Sequence, residues 1–249
     1  MSGHNRWTKI KRQKEAMGAS KGKLFTKVTK EITVAARIGG GDVSGNARLR
    51  SAVLAAREAN MPSENIARAI KKGTGELEGT HYEEVTYEGY APGGVAVLVE
   101  CLTDNRHRTA ADIRANFSKG GGNLATEGSV GWLFHRKGSI HLKPGPSEDK
   151  VMEAALETGA EDVVSLGADG FEVRTEATAL HAVAAALEKQ GLAVGEQRTV
   201  FLPQTTVHVD GDAARRVLRL LETLEDNDDV QNVWANYEMD DALLAAAHA

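Results

Sequence analysis

Apolar positions recur at helical spacing through roughly the first third of the chain, and β-type runs take over after residue 75. In the run 22–38, which ends at Gly39-Gly40-Gly41, Phe25, Val28, Ile32, Ala35 and Ala36 share an arc of about 100°, the stripe of a packed surface helix. Lys23, Lys27, Lys30 and Arg37 lie opposite, within about 80° of one another at the same 3.6-residue repeat. One face is built to pack and the other to meet negative charge.

A second helix is predicted after Asn46, a capping residue, with Leu49, Ala52, Val53, Ala56 and Ala59 inward and Arg50 and Arg57 outward. Asn60-Met61-Pro62 breaks it. Pro62 suits the first turn of a third helix, with Ile66, Ala69 and Ile70 inward, Arg68, Lys71 and Lys72 outward, and Gly73 as its stop. The three make a small bundle. The second and third are spaced like a helix-turn-helix, a signal that any helical hairpin shares.

Runs 82–90 and 95–103 read as a hairpin across Ala91-Pro92-Gly93-Gly94, followed by a helix over 106–119, a stop at Gly120-Gly121-Gly122, and a strand over 130–135. From residue 137 the order is strand 139–142, helix 147–158, strands 162–166 and 171–174, helix 177–190 and strand 193–201, the βαββαβ order of a ferredoxin-like unit. A strand at 205–209, a helix over 212–224 and a strand over 230–237 remain, too few elements to fold alone. Pairing them with 79–136 gives an α+β, multi-domain chain. Its predicted parts are a basic flexible segment (1–22), a three-helix domain (23–78), a discontinuous α/β domain (79–136 plus 202–240) and a ferredoxin-like domain inserted in it (137–201).

Charge sharpens this picture, because it is segregated. Residues 1–75 carry 16 Lys and Arg against 5 acids, a net of +11, and residues 76–249 carry 14 against 30, a net of −16. A basic module on an acidic body points to a polyanionic partner, nucleic acid above all. The phosphate-contacting surface predicted from these positions is Lys23, Lys27, Lys30 and Arg37, joined by Arg6, Lys9, Lys11, Arg12, Lys14, Lys21 and Arg50. Trp7, among these cations, is placed either to stack on a base or to dock on the protein's own surface. A second candidate anion site is Arg106 and Arg108 at a helix N-terminus, against the plainer reading in which Asp104 or Asn105 caps the helix and Arg106 meets a carboxylate.

Other chemistry is thin. The glycine triplets lack the strand before and the Lys-Ser/Thr after that a P-loop needs. The eight histidines show no i, i+4 pair, one cysteine supplies no zinc site, and no nucleophile, base and orienting group recur together, so neither metal, cofactor nor catalysis is predicted. Cys101 has no disulfide partner and no apolar run reaches the roughly 18 residues of a membrane span, so a cytoplasmic protein without membrane contact is expected.

Gly3-His4-Asn5-Arg6-Trp7, 22–27, 35–42, Asn60-Met61-Pro62, 69–75 and Thr103-Asp104-Asn105-Arg106 together resemble the YebC/PmpR family across the whole chain. The resemblance implies a helical first domain and two α/β domains, the third inserted in the second. It also implies a DNA-binding transcriptional regulator or, alternatively, a ribosome-associated translation factor acting on stalled ribosomes through ribosomal RNA.

Overall fold

The computed structural model describes residues 21–240. Arg6, Trp7, Lys9, Lys11, Arg12 and Lys14, with the side chain of Lys21, lie outside the described residues.

Helices α1 (Lys21–Gly39), α2 (Ala47–Glu58) and α3 (Ser63–Thr74) share a core in which Ile32, Ala35, Leu49, Val53, Ile66 and Ala69 meet. One side chain sets the first corner. Asn46 accepts from Leu49 N at 3.0 Å, capping α2, while its amide donates to Ala35 O and Gly40 O, both at 2.8 Å, holding the end of α1. Gly73 is not the stop the sequence predicts: α3 runs through it to Thr74, and Gly75 takes the left-handed cap at φ 84°. Gly73 serves contact instead, since a Cβ there would lie 2.4 Å from Thr33 O and 2.7 Å from Ala36 Cβ.

The second part is built on β1 (Glu83–Ala91) and β2 (Val95–Thr103), an antiparallel hairpin, with β3 (Asn123–Leu124) beside β1. The strand from the chain's far end, β9 (Val230–Ala235), lies antiparallel to β2. Helices α4 (Arg106–Lys119) and α7 (Gly211–Glu225) cover one face, where Val95, Val97, Val99 and Cys101 meet Ile113, Phe117 and Leu221. The alternate positions Ala96 and Leu98 meet Phe134, Val200 and Trp234 on the other face. Burial on both faces is why residues 95–103 read as an unbroken apolar run. The strand predicted over 205–209 shrinks to β8 (Val207–His208), which pairs in parallel with β10 (Tyr237–Glu238) outside the main sheet.

Between β3 and β8 sits the third part: β4 (Phe134–Leu142), α5 (Glu148–Thr158), β5 (Asp162–Ser165), β6 (Phe171–Glu176), α6 (Leu180–Lys189) and β7 (Val194–Pro203). Its sheet order, β5-β6-β4-β7 with every neighbouring pair antiparallel, is the ferredoxin-like arrangement. The two strands predicted at 130–135 and 139–142 are a single β4. Residues 128–131 stay out of the ladder because the Glu88 carboxylate accepts their N–H groups: Gly128 at 2.8 Å, Val130 at 2.5 Å and Gly131 at 2.8 Å. Among the described residues, no helix is long and apolar enough to cross a membrane.

Candidate nucleic-acid interface

The lysine face of α1 is a face as the sequence predicts, but it is not free. Lys23, Lys27 and Lys30 all meet the segment 225–229 that joins α7 to β9. Lys23 Nζ lies 3.2 Å from Asp226 Oδ1, and Lys27 Nζ donates to Glu225 O at 2.6 Å. Lys30 Nζ donates to Asp229 Oδ1 (2.6 Å), Asp228 O (2.9 Å) and Leu102 O (3.3 Å), one acceptor for each of its three N–H bonds. Helix α7 brings no basic residue to its own last turn, so lysines of α1 meet the negative end of its dipole. Of the three lysines predicted to contact phosphate, Lys30 is buried and Lys27 half-buried in this contact, while Lys23 stays exposed beside an exposed Asp226. Charge opposite the apolar stripe of a helix marks a second packed face when an acidic loop lies across it.

Asp229 is the centre of this contact. It is 5% exposed and accepts from Arg108 Nη2 and Thr109 Oγ1, each at 2.7 Å, as well as from Lys30. Burial alone would raise its pKa. Hydrogen bonds from Arg108, Lys30 and Thr109, with the Lys30 charge, outweigh burial and hold the carboxyl down at about 2. Its own carbonyl accepts from Leu102 N at 2.8 Å, beside the register shift where β2 meets β9.

The remaining predicted cations divide. Arg37 Nη2 donates to Tyr82 O at 2.6 Å on the segment leading into β1, and the residue is otherwise exposed. Arg50 is exposed but turned onto its own bundle, donating to Val43 O and Ser44 O. The second candidate anion site is not assembled. Asn105 caps α4 by accepting from Arg108 N (3.1 Å), Arg106 lies 3.8 Å from Glu83, and Arg108 is held by Asp104 (2.8 Å) and Asp229 (2.7 Å). Two carboxylates on Nη2 offset the charge of Arg108, which weakens its pull on a phosphate even though Nε and Nη1 keep their N–H groups. Arg48, not among the predicted contacts, joins Glu31 (2.7 Å) to Glu84 (2.7 Å) and ties the bundle to β1 a second time.

What stays open is the outer side of α3. Arg68, Lys71 and Lys72 stand at i, i+3 and i+4, all exposed; Arg68 pairs with Glu64 at 2.9 Å, while Lys71 and Lys72 form no ion pair among the described residues. The end of this stripe adjoins Arg37, because a Cβ at Gly73 would lie 3.2 Å from Arg37 N. Exposed Ile38 and Leu77 lie at the same end, and Leu77 N bonds to Lys71 O. The sequence marks Arg68, Lys71 and Lys72 as outward. What it lacks is the acidic loop that removes their rivals on α1.

No group of three or more His, Cys, Asp or Glu side chains among the described residues is placed to hold a metal ion. Cys101 is buried, and burial pushes its thiol up to about 12, which keeps it an unreactive core residue.

Fold and site together define a three-part α+β protein in which a basic helical module is clamped by charge onto an acidic two-part α/β body. The chain belongs to the TACO1/YebC family: residues 5–76 match the model of the family's N-terminal domain and residues 82–237 that of its second and third domains. A probable transcriptional regulatory protein of Myxococcus xanthus is 67% identical over 244 residues, covering 98% of each chain. A protein of the same name from Geobacter sulfurreducens is 54% identical over 239 residues, 96% of each. A crystal structure of a conserved hypothetical protein from Aquifex aeolicus superimposes with a TM-score of 0.83 at 48% identity, covering 90% of this chain and 93% of that one.

Proposed function

We propose that this protein is a non-enzymatic, cytoplasmic regulator of gene expression that grips nucleic acid through its N-terminal helical module. The observation that carries the reading is charge: +11 over residues 1–75 against −16 over the rest. The module keeps Lys23, Arg37, Lys71 and Lys72 exposed although the acidic loop takes up Lys27 and Lys30. Phosphates attract such a surface without sequence choice, and the net negative charge of the body directs the first encounter to the module. The names of the relatives support regulation of transcription, and on this reading the partner is DNA. A ribosome-associated translation factor would use the same cations on ribosomal RNA, because duplex DNA and folded RNA present similar phosphates to a lysine.

The test is crosslinking in cells followed by sequencing of the bound nucleic acid, with the Arg68→Glu/Lys71→Glu/Lys72→Glu variant as control. Promoter DNA that disappears in the variant supports the transcriptional reading. A predominance of ribosomal RNA moves the assignment to translation. No nucleic acid above background removes both.

A further inference from the structure

Trp132 is 66% exposed, whereas Trp234 is 2% exposed. Its surroundings hold the indole out rather than cover it. Nε1–H donates to Ser129 O at 3.1 Å, which sets the ring's orientation and uses its one hydrogen-bond donor. The flanking backbone is fixed from three sides: Glu88 binds the N–H groups of Gly128, Val130 and Gly131, Tyr90 Oη donates to Ser129 O at 3.2 Å, and Gln204 Nε2 donates to Trp132 O at 2.7 Å. With its N–H spent, the ring offers solvent a flat π-surface, which is satisfied by stacking and by little else. His135 and Arg136 follow within four residues on β4, both exposed; neither forms a close ion pair among the described residues, though the charge of Arg136 acts on Glu100 and that of His135 on Glu176.

We propose that Trp132 is a stacking platform for an unpaired base of a single-stranded nucleic acid, with Arg136 meeting the adjoining phosphate. This rests on the nucleic-acid reading above and extends it. The basic stripe on α3 contacts phosphates of any strand, whereas a base that stacks on Trp132 has to be free of a duplex. The ring is preorganised for this role, since the loop that carries it is already ordered by Glu88 and has nothing to rearrange on binding.

The test uses the full chain with a fluorescent oligouridylate of about twelve nucleotides, a length within the usual footprint of a single-strand site, and with its abasic counterpart. Trp132→Ala is expected to weaken oligouridylate binding about tenfold, the usual loss for one stacked base, and Trp132→Phe to keep most of the affinity. The abasic strand should bind the unaltered protein no better than oligouridylate binds Trp132→Ala. The melting temperature of both variants should match the unaltered protein, because the ring is exposed and Ser129 O keeps its bond from Tyr90. Equal affinities for both strands, unchanged by Trp132→Ala, overturn the stacking role and leave the phosphate grip standing. Failure of both strands to bind the unaltered protein overturns the single-strand proposal, and failure of a DNA duplex of the same length as well overturns the nucleic-acid reading itself. Loss of a co-purifying protein in Trp132→Ala, with oligonucleotide binding intact, makes the indole a protein contact and equally overturns the proposal.

Discussion

Lys30 Nζ sits 2.6 Å from Asp229 Oδ1, with the two side chains 9% and 8% exposed and the residues 199 positions apart. So long a closure joins the first described helix to the loop before the last long strand among the described residues. A pair this buried is favourable only when the remaining bonds of each partner are met, and here they are, by Asp228 O and Leu102 O on one side and Arg108 and Thr109 on the other. Removing either partner strands the other. Lys30→Ala and Asp229→Ala are each expected to lower the unfolding free energy by about 3 kcal/mol. The double variant should lose clearly less than the sum, since the bond between Lys30 and Asp229 can be lost only once. Urea unfolding of the four proteins measures both the losses and the coupling.

The same carboxyl predicts an acid limit. Asp229 titrates near 2 when folded, below its ordinary 3.8, so its contribution is complete above about pH 4 and lost as pH falls toward 2. A shift of this size corresponds to about 2 kcal/mol. Urea midpoints between pH 2 and 5 should therefore fall more steeply with acidification in the unaltered protein than in Asp229→Asn. Parallel curves would show that the pair is not made in solution.

The two lysine faces predict opposite phenotypes. Reversing Lys23, Lys27 and Lys30 to Glu puts three acids against Asp226, Asp229 and the α7 C-terminus, and should loosen the module from the body, read as a lower melting temperature and earlier proteolysis near residues 76–82. Reversing Arg68, Lys71 and Lys72 should leave melting near its original value and weaken nucleic-acid binding. If all three contact phosphates of duplex DNA, the slope of log affinity against log salt should drop by about 2.7, at roughly 0.9 per phosphate. A full loss of binding with an unchanged melting temperature in the first variant would return the interface to α1.

Much of this architecture is legible in the chain. Helical spacing of Phe25, Ile32, Leu49 and Ile66 marks the bundle, and the βαββαβ order of 139–201 marks the ferredoxin-like unit, because both patterns are local. What the pattern misses is set by partners far away in sequence. Nothing near Lys30 announces that Asp229 will cover it. Nothing near 130–133 shows that Glu88 will draw those amides out of a strand. Gly73 reads as a stop because Gly often is one, yet what fixes it is Thr33 O on another helix. Charge tells how many cations face a polyanion, but only the docked body tells which.

Glu88 is 7% exposed and accepts three backbone N–H groups. Burial works against the charged form, but the bonds from Val130, Gly128 and Gly131 prevail and lower its pKa. Glu88→Gln keeps the shape and turns an NH₂ toward amides that need an acceptor. It should cost about 1–3 kcal/mol, the penalty for unsatisfied buried donors, and bring faster hydrogen exchange at 128–131. Exchange unchanged there would mean the loop is held by its turn geometry rather than by the carboxylate.

Gly73 offers the sharpest test of how the bundle closes. Glycine within a helix is worse than alanine by about 1 kcal/mol, so Gly73→Ala would be stabilising if only α3 mattered. The added methyl would lie 2.4 Å from Thr33 O, 2.7 Å from Ala36 Cβ and 3.2 Å from Arg37 N, and two of those three atoms are backbone. Backbone cannot swing aside as a flexible side chain does, so α1 and α3 must separate, and overpacking of this kind costs about 1–3 kcal/mol. The matched control is Gly22→Ala on α1, where no atom of the described residues beyond its own turn of helix lies within 4 Å and the helical preference should act alone. Urea unfolding is expected to show Gly22→Ala neutral to slightly stabilised and Gly73→Ala destabilised. If Gly73→Ala gained stability as well, the close crossing of α1 and α3 at Thr33 would be wrong, and with it the adjacency of Arg37 to Lys71 and Lys72.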